Sequence, residues 1–181
     1  YIISKKKIKT YGIEPSIMHQ QIINKKHTIF NDLNETQIKF DNILHYYVLE
    51  HVYDPLLFLK NCLLKLKKNG RMIFEIPNRN DALFSLYNLE NYKNFIMQKM
   101  HLFYFSEVSI KFILDKFKVK YKIFKCQRYD YNNHYNWIAN NANNKKKLFS
   151  YKLNDLYKKE ICKKNFNDHF TIILNKLWEF L

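Results

Sequence analysis

The sequence predicts an α/β fold: a mostly parallel sheet with helices on both faces. Three observations carry this prediction. Strand-like and helix-like stretches alternate along most of the 181 residues, residues 40–78 read as strand, crossover helix and second strand, and an acid, Glu14, closes a strand just before a helix start. Parallel strands need a crossover connection, usually helical, so this order favours a parallel sheet.

The elements follow in order. Residues Ile8 to Glu14 (IKTYGIE) form a strand that ends in Gly12 and an acid, and Pro15-Ser16 then starts a helix reaching about Ile23. His27 to Phe30 is a short strand that empties into the polar loop Asn31 to Lys39. Asp41 to Tyr46 is the next strand. Pro55 sits where a first helical turn accepts it, Leu56, Leu57, Leu59, Leu63, Leu64 and Leu66 make an apolar face, and Asn69-Gly70 is the expected helix end. A strand from Arg71 to Ile76 follows at once.

Beyond Pro77 the chain turns aromatic. Residues 78–105 read as a lid or insertion over the strand ends, helical in pieces. Ser106 is a good N-cap for a helix from Glu107 to Phe117, and Val119 to Tyr129 alternates like a strand. Residues 130–147 are rich in Asn and Lys and read as a loop. Leu148 to Asn165 reads as helix and Asp168 to Leu174 as a late strand. With no internal repeat and no linker, residues 1–181 read as one domain.

Composition narrows the classes. The net charge of +15 would ordinarily point to phosphate backbones, yet only Arg71, Arg79 and Arg128 are arginines and the lysines are dispersed. Specific phosphate recognition leans on Arg forks, so this charge reads as a solvated face and disfavours nucleic acid as the partner. Cys62, Cys126 and Cys162 show no paired spacing and no zinc-ligand pattern, which suits a reducing cytoplasm. No stretch reaches the roughly 18 to 20 apolar residues of a membrane span, and no leader pattern is evident, so a soluble, cytoplasmic chain is expected.

The motifs Phe40-Asp41, Val48-Leu49-Glu50-His51-Val52, Asp54-Pro55, Leu66-Lys67, Gly70, Glu75 and Pro77-Asn78 stand in register, followed by His101-Leu102, Phe105-Ser106 and Ser109-Ile110. In this order they resemble the class I S-adenosylmethionine-dependent methyltransferases, in the branch with the signature FDxIxxxxVLEHVxDPxxFLxxxxxxLKxxGxxxxExPN and HLxxFSxxSI. The similarity runs from about Ile8 to Thr171. It implies a Rossmann-like sheet, S-adenosylmethionine as cofactor, and methyl transfer to oxygen or nitrogen without a required metal. One departure matters: Gly12 and Gly70 are the only glycines, and neither belongs to the Gly-rich turn on which that family holds the methionine end. The first strand here corresponds to the family's second. The chain is therefore expected to lack the first strand, its Gly-rich loop and first helix, which leaves unpaired edges on two neighbouring strands.

Candidate site residues follow from strand ends and from the resemblance. Glu14 ends a strand where such folds place a ribose acceptor, and with the resemblance that reading is preferred to a solvated acid complementing a helix dipole. The resemblance makes Asp32 an adenine-amine acceptor with Leu33 beside it, and puts His45 and Tyr46 at the methionine end, mostly through backbone. His51, beside Glu50, is the first candidate base, because an imidazole near its ordinary pKa of about 6.5 can take a proton from a hydroxyl or amine. His101, in the HLxxFS element, is the second. Asn78 ends a strand and could bond the acceptor, and Tyr87, Tyr92 and Tyr104 are pocket-wall candidates or packing. Arg128, Asn133, His134 and Trp137 resemble a QRYxxxNHxxW element of methyltransferases in sugar and surface-polysaccharide pathways, which implies a sugar or sugar-nucleotide acceptor. Two other readings stay open: a non-catalytic truncated remnant unable to bind cofactor, and a basic nucleic-acid-binding methyltransferase.

Overall fold

The computed structural model describes residues 8–23, 27–140 and 147–176. The chain, which reads as one domain in sequence, divides into two compact units, residues 1–40 and 41–181.

The first unit is a small strand, helix and strand: β1 (Tyr11–Ile13), α1 (Ile17–Ile23) and β2 (Thr28–Phe30), with β1 and β2 parallel. Gly12 lies opposite Ile29, and a Cβ there would come within 2.7 Å of the Ile29 Cδ1, so close strand packing explains this glycine. Tyr11 and Phe30 stack at 6.3 Å between centroids. Glu14 Oε1 accepts the Ser16 N–H at 2.9 Å, just ahead of α1.

The second unit begins within β3 (Phe40–Tyr46). It continues through α2 (Pro55–Lys65), β4 (Leu66–Pro77), a π-turn (Ala82–Leu86), α3 (Glu90–Ile96), α4 (Glu107–Asp115), β5 (Lys120–Cys126), α5 (Tyr131–Asn140), α6 (Tyr151–Lys163) and β6 (His169–Asn175). Its sheet has the order β3-β4-β6-β5, with β6 antiparallel to both neighbours. The α/β expectation holds, and the inserted antiparallel β6 is added by the structure. Among the described residues β1 pairs only with β2 and β3 only with β4.

Local chemistry explains the boundaries. Asp54 accepts the Leu57 N–H at 2.9 Å with Pro55 in the first turn, and Ser106 and Ser109 form a reciprocal capping box at α4. In β4, Met72, Phe74 and Ile76 point inward with Phe170, Ile172 and Leu174 of β6. Leu59 and Leu63 of α2 and Ile110 and Leu114 of α4 are buried as well. A second cluster of Leu83, Tyr92 and Trp137 fastens the aromatic segment to α5.

Two expectations are corrected. The helix after Pro55 stops at Lys65, four residues before Asn69, because Leu66 is already extended and the Lys176 ammonium caps the carbonyls of Leu63 and Leu66 at 3.0 Å. Asn69 then takes the left-handed conformation (φ 60°), while Gly70 does not. Second, residues 131–140, expected within a loop, form helix α5. No helix among the described residues is long and apolar enough to cross a membrane.

Candidate functional site

The carboxyl ends of β3, β4 and β5 and the start of β6 surround one cavity of about 320 Å³ within the second unit. That is the rim where open α/β sheets bind ligands, and the volume suits a small molecule. Tyr47, Glu50, His51, Asn78, His101 and Arg128 are among its walls.

One wall is imidazole and carboxylate. A turn closed by the His51 N–H on the Val48 carbonyl, at 3.0 Å, sets Glu50 and His51 side by side. The Glu50 carbonyl accepts the N–H groups of Leu102 and Phe103 at 2.8 and 3.1 Å, which brings the adjoining His101 alongside. The two rings lie 4.7 Å apart between centroids. His51 Nδ1 meets the Met100 carbonyl at 2.9 Å and His101 Nδ1 meets that of Ile96 at 3.0 Å. A carbonyl only accepts, so each neutral ring carries its proton on Nδ1 and keeps a lone pair on Nε2. Burial, helped by the neighbouring His51, holds the His101 pKa below its ordinary value, and burial pushes the Glu50 carboxyl up. Glu50 is 2% exposed, and its Oε2 has no hydrogen-bond partner.

The opposite wall is a network of charges. Arg128 donates to Glu75 Oε2 at 2.9 Å and lies 5.0 Å over the Tyr47 ring. Asp168 Oδ2 accepts the N–H groups of Arg128 and Tyr129 at 2.8 and 2.9 Å, and its Oδ1 meets the His169 imidazole. Asp81 accepts the Phe84 N–H at 2.7 Å and the Tyr92 hydroxyl at 2.9 Å, and burial raises its pKa to about 6. Tyr47, at the end of β3, is itself left-handed (φ 54°), with its N–H on the Glu75 carbonyl at 3.0 Å.

The structure gathers His51, His101, Asn78 and Arg128 around this cavity, with Tyr92 and Tyr104 in its wall. Asn78 is 3% exposed, and its side chain donates to the Asn167 carbonyl and accepts from the Asn80 N–H, so it fixes the loops there. His134 is not brought to the cavity. Buried in α5, its Nδ1 meets the Tyr157 hydroxyl at 2.7 Å and its Nε2 the Gln127 amide at 3.2 Å, and burial lowers its pKa to about 4. Tyr87 instead meets the Tyr157 hydroxyl at 3.1 Å. The His45 ring points into the core, stacked on Phe74 at 4.7 Å, while the Tyr46 side chain is half exposed.

Glu14, Asp32 and Leu33 belong to the first unit. Gln20 donates to the Glu14 carbonyl and to Asn31, which ties together the ends of β1 and β2 where Glu14 and Asp32 sit. Asp32 caps the short 3-10 turn Leu33–Glu35 by accepting the Asn34 N–H at 2.7 Å. Sequence reasoning missed Tyr47, Asp81 and Asp168. Only their positions beside strand ends could have signalled them.

A family profile described as "Methyltransferase domain" matches residues 2–120, about two thirds of the chain. The chain belongs to this methyltransferase family. A ubiquinone biosynthesis O-methyltransferase of Cereibacter sphaeroides is 38% identical over 64 residues, which cover 35% of this chain and 26% of that protein. The same enzyme of Dinoroseobacter shibae matches over the same length at 38%. These matches thus span about a quarter of the curated relatives' length. Among solved structures, a SAM-dependent methyltransferase from Archaeoglobus fulgidus superposes with a TM-score of 0.58 at 19% identity, covering 97% of this chain and 79% of that one. A possible histamine N-methyltransferase from Thermotoga maritima gives 0.60 at 20% identity, covering 96% and 75%. The plantazolicin methyltransferase BpumL, solved with a triazolic desmethylPZN analog and SAH, gives 0.61 at 16%, covering 97% and 70%. At such identities the superpositions establish the Rossmann-like methyltransferase fold.

Proposed function

We propose that this methyltransferase domain transfers a methyl group from S-adenosylmethionine to an oxygen or nitrogen of a small polar acceptor of sugar size. The observation that carries the reading is the cavity at the strand ends, where two imidazoles anchored through Nδ1 keep Nε2 clear of hydrogen-bond partners among the described residues. Its volume of about 320 Å³ and its wall of Arg128 and tyrosines suit a single hydroxyl-rich ring.

The cofactor's fit can be judged from free acceptor atoms. Glu14 uses Oε1 on the Ser16 N–H and leaves Oε2 unbonded among the described residues, so it can accept ribose hydroxyls. Asp32 likewise uses Oδ1 on Asn34 and keeps its second oxygen for an amine, with Leu33 adjoining. Both glycines have ordinary φ, and no Gly-rich turn occurs among the described residues. S-adenosylmethionine, when bound, supplies an electrophilic methyl group.

The chain's own residues align the acceptor, exclude water and hold its proton. The acceptor's proton goes to Nε2 of His101 or His51, since a neutral imidazole is the form that takes it near neutral pH. Alignment supplies most of the acceleration.

Incubation with methyl-tritiated S-adenosylmethionine and a panel of sugars, sugar nucleotides and amines tests this, beside calorimetric titration with S-adenosylhomocysteine. Label is expected on a hydroxyl- or amine-bearing acceptor. Absence of both binding and transfer would favour the non-catalytic reading.

A further inference from the structure

Sequence spacing shows no metal-ligand pattern, but the fold gathers one. One donor atom each from Glu50, His51 and His101 lies within 4.8 Å of the others, although His101 is fifty residues along the chain from His51. Three independent features of this cluster point to a ligand.

First, Glu50 Oε2 is buried with no hydrogen-bond partner, and leaving a buried carboxylate oxygen unsatisfied is costly unless something binds it. Second, both rings turn Nδ1 toward backbone carbonyls, those of Met100 and Ile96, and neither Nε2 has a hydrogen-bond partner among the described residues. Metal-bound imidazoles are oriented in the same way, by a carbonyl or carboxylate on the second nitrogen. Third, the rings stand 4.7 Å apart, and the three residues all line the same cavity.

We propose that Glu50, His51 and His101 bind one divalent transition-metal cation in the cavity, leaving its remaining coordination positions open. Two nitrogens and one oxygen suit Zn²⁺, Fe²⁺, Co²⁺ or Mn²⁺ over Ca²⁺ and Mg²⁺, which favour all-oxygen shells. Ligands about 2.1 Å from such an ion stand about 3 Å apart, so modest side-chain rotation brings the cluster to bonding distance. The site stands independently of methyl transfer. A bound ion engages the same Nε2 lone pairs that take the acceptor's proton, so metal occupancy and base catalysis at these two rings exclude one another.

The test needs neither cofactor nor acceptor. The full chain, stripped with a chelator, is titrated with Co²⁺ by visible absorption and with Zn²⁺ by calorimetry. One ion per chain is expected, with affinity at least tenfold weaker in Glu50→Gln and in His101→Ala and unchanged in His19→Ala. Should a variant fail to fold, the unaltered chain still decides: Zn²⁺ should protect His51 and His101, and not His19, from diethyl pyrocarbonate, as read by peptide mass spectrometry. No stoichiometric binding, equal affinity in folded Glu50→Gln and His101→Ala, or no selective protection overturns the proposal and leaves the methyl-transfer reading standing on its own assay.

Discussion

His45→Phe should stabilise the protein and flatten its acid sensitivity. The His45 ring is 8% exposed, stacks on Phe74 at 4.7 Å and meets Phe58 edge-on at 5.2 Å, and neither ring nitrogen has a partner. Burial depresses its pKa from 6.5 to about 4. A depressed histidine is held neutral by the fold, so its contribution is intact above pH 6.5 and is lost as pH falls toward 4, where the unfolded chain binds the proton first. At about 1.4 kcal/mol per unit, the loss between pH 7.5 and 4.5 comes to about 2.5 kcal/mol. Phenylalanine keeps the aromatic packing and removes two unsatisfied polar atoms, a gain of about 1 kcal/mol at pH 7.5 after the strain of a larger ring. Urea unfolding of both proteins, followed by circular dichroism at the two pH values, measures the difference, and contributions common to both, such as His134, cancel. A difference that stays constant with pH would refute the burial argument.

Asp81→Asn acts in the opposite sense. The folded state raises the Asp81 pKa from 3.8 to about 6, so its contribution is full below pH 3.8 and is lost as pH rises through 6, about 3 kcal/mol in all; the variant's urea midpoint should lose that slope. Ser106→Ala removes the α4 cap and should cost about 1 kcal/mol, read as a lower thermal midpoint, with little change in S-adenosylhomocysteine affinity.

Strand ends and helix starts were legible because their chemistry is local. Asp54-Pro55 and Ser106 cap through atoms three residues away, and the inward alternation of Met72, Phe74 and Ile76 marks β4. Helix α5 was not legible, because buried polar groups hold it where an apolar stripe would be expected. Asn132 Oδ1 accepts the N–H groups of Leu148 and Phe149 at 2.6 and 2.8 Å, and the Asn132 N–H reaches Asn154 at 3.3 Å. An Asn-rich stretch that is buried and satisfied looks like a loop to any reading based on hydrophobic period. The early end of α2 was hidden for a similar reason, since its cap, Lys176, lies more than a hundred residues away. The direction of β6 could not be read either, since alternation is the same for both directions of pairing.

The site was half legible. Glu50, His51 and His101 were visible as motif residues, and the fold brings them together. His134 was visible too, but its two nitrogens are taken up by Tyr157 of α6 and by Gln127 just after β5. A motif position reveals that a side chain is present and leaves open which way it faces.

The most direct measurement compares methyl transfer and S-adenosylhomocysteine affinity in His101→Ala and His45→Phe. If the strand-end cavity holds the acceptor, His101→Ala lowers the turnover rate by about a hundredfold or more with cofactor affinity intact, and His45→Phe leaves both nearly unchanged. Undiminished turnover in His101→Ala, or a collapse in His45→Phe that folds normally, would place the chemistry elsewhere.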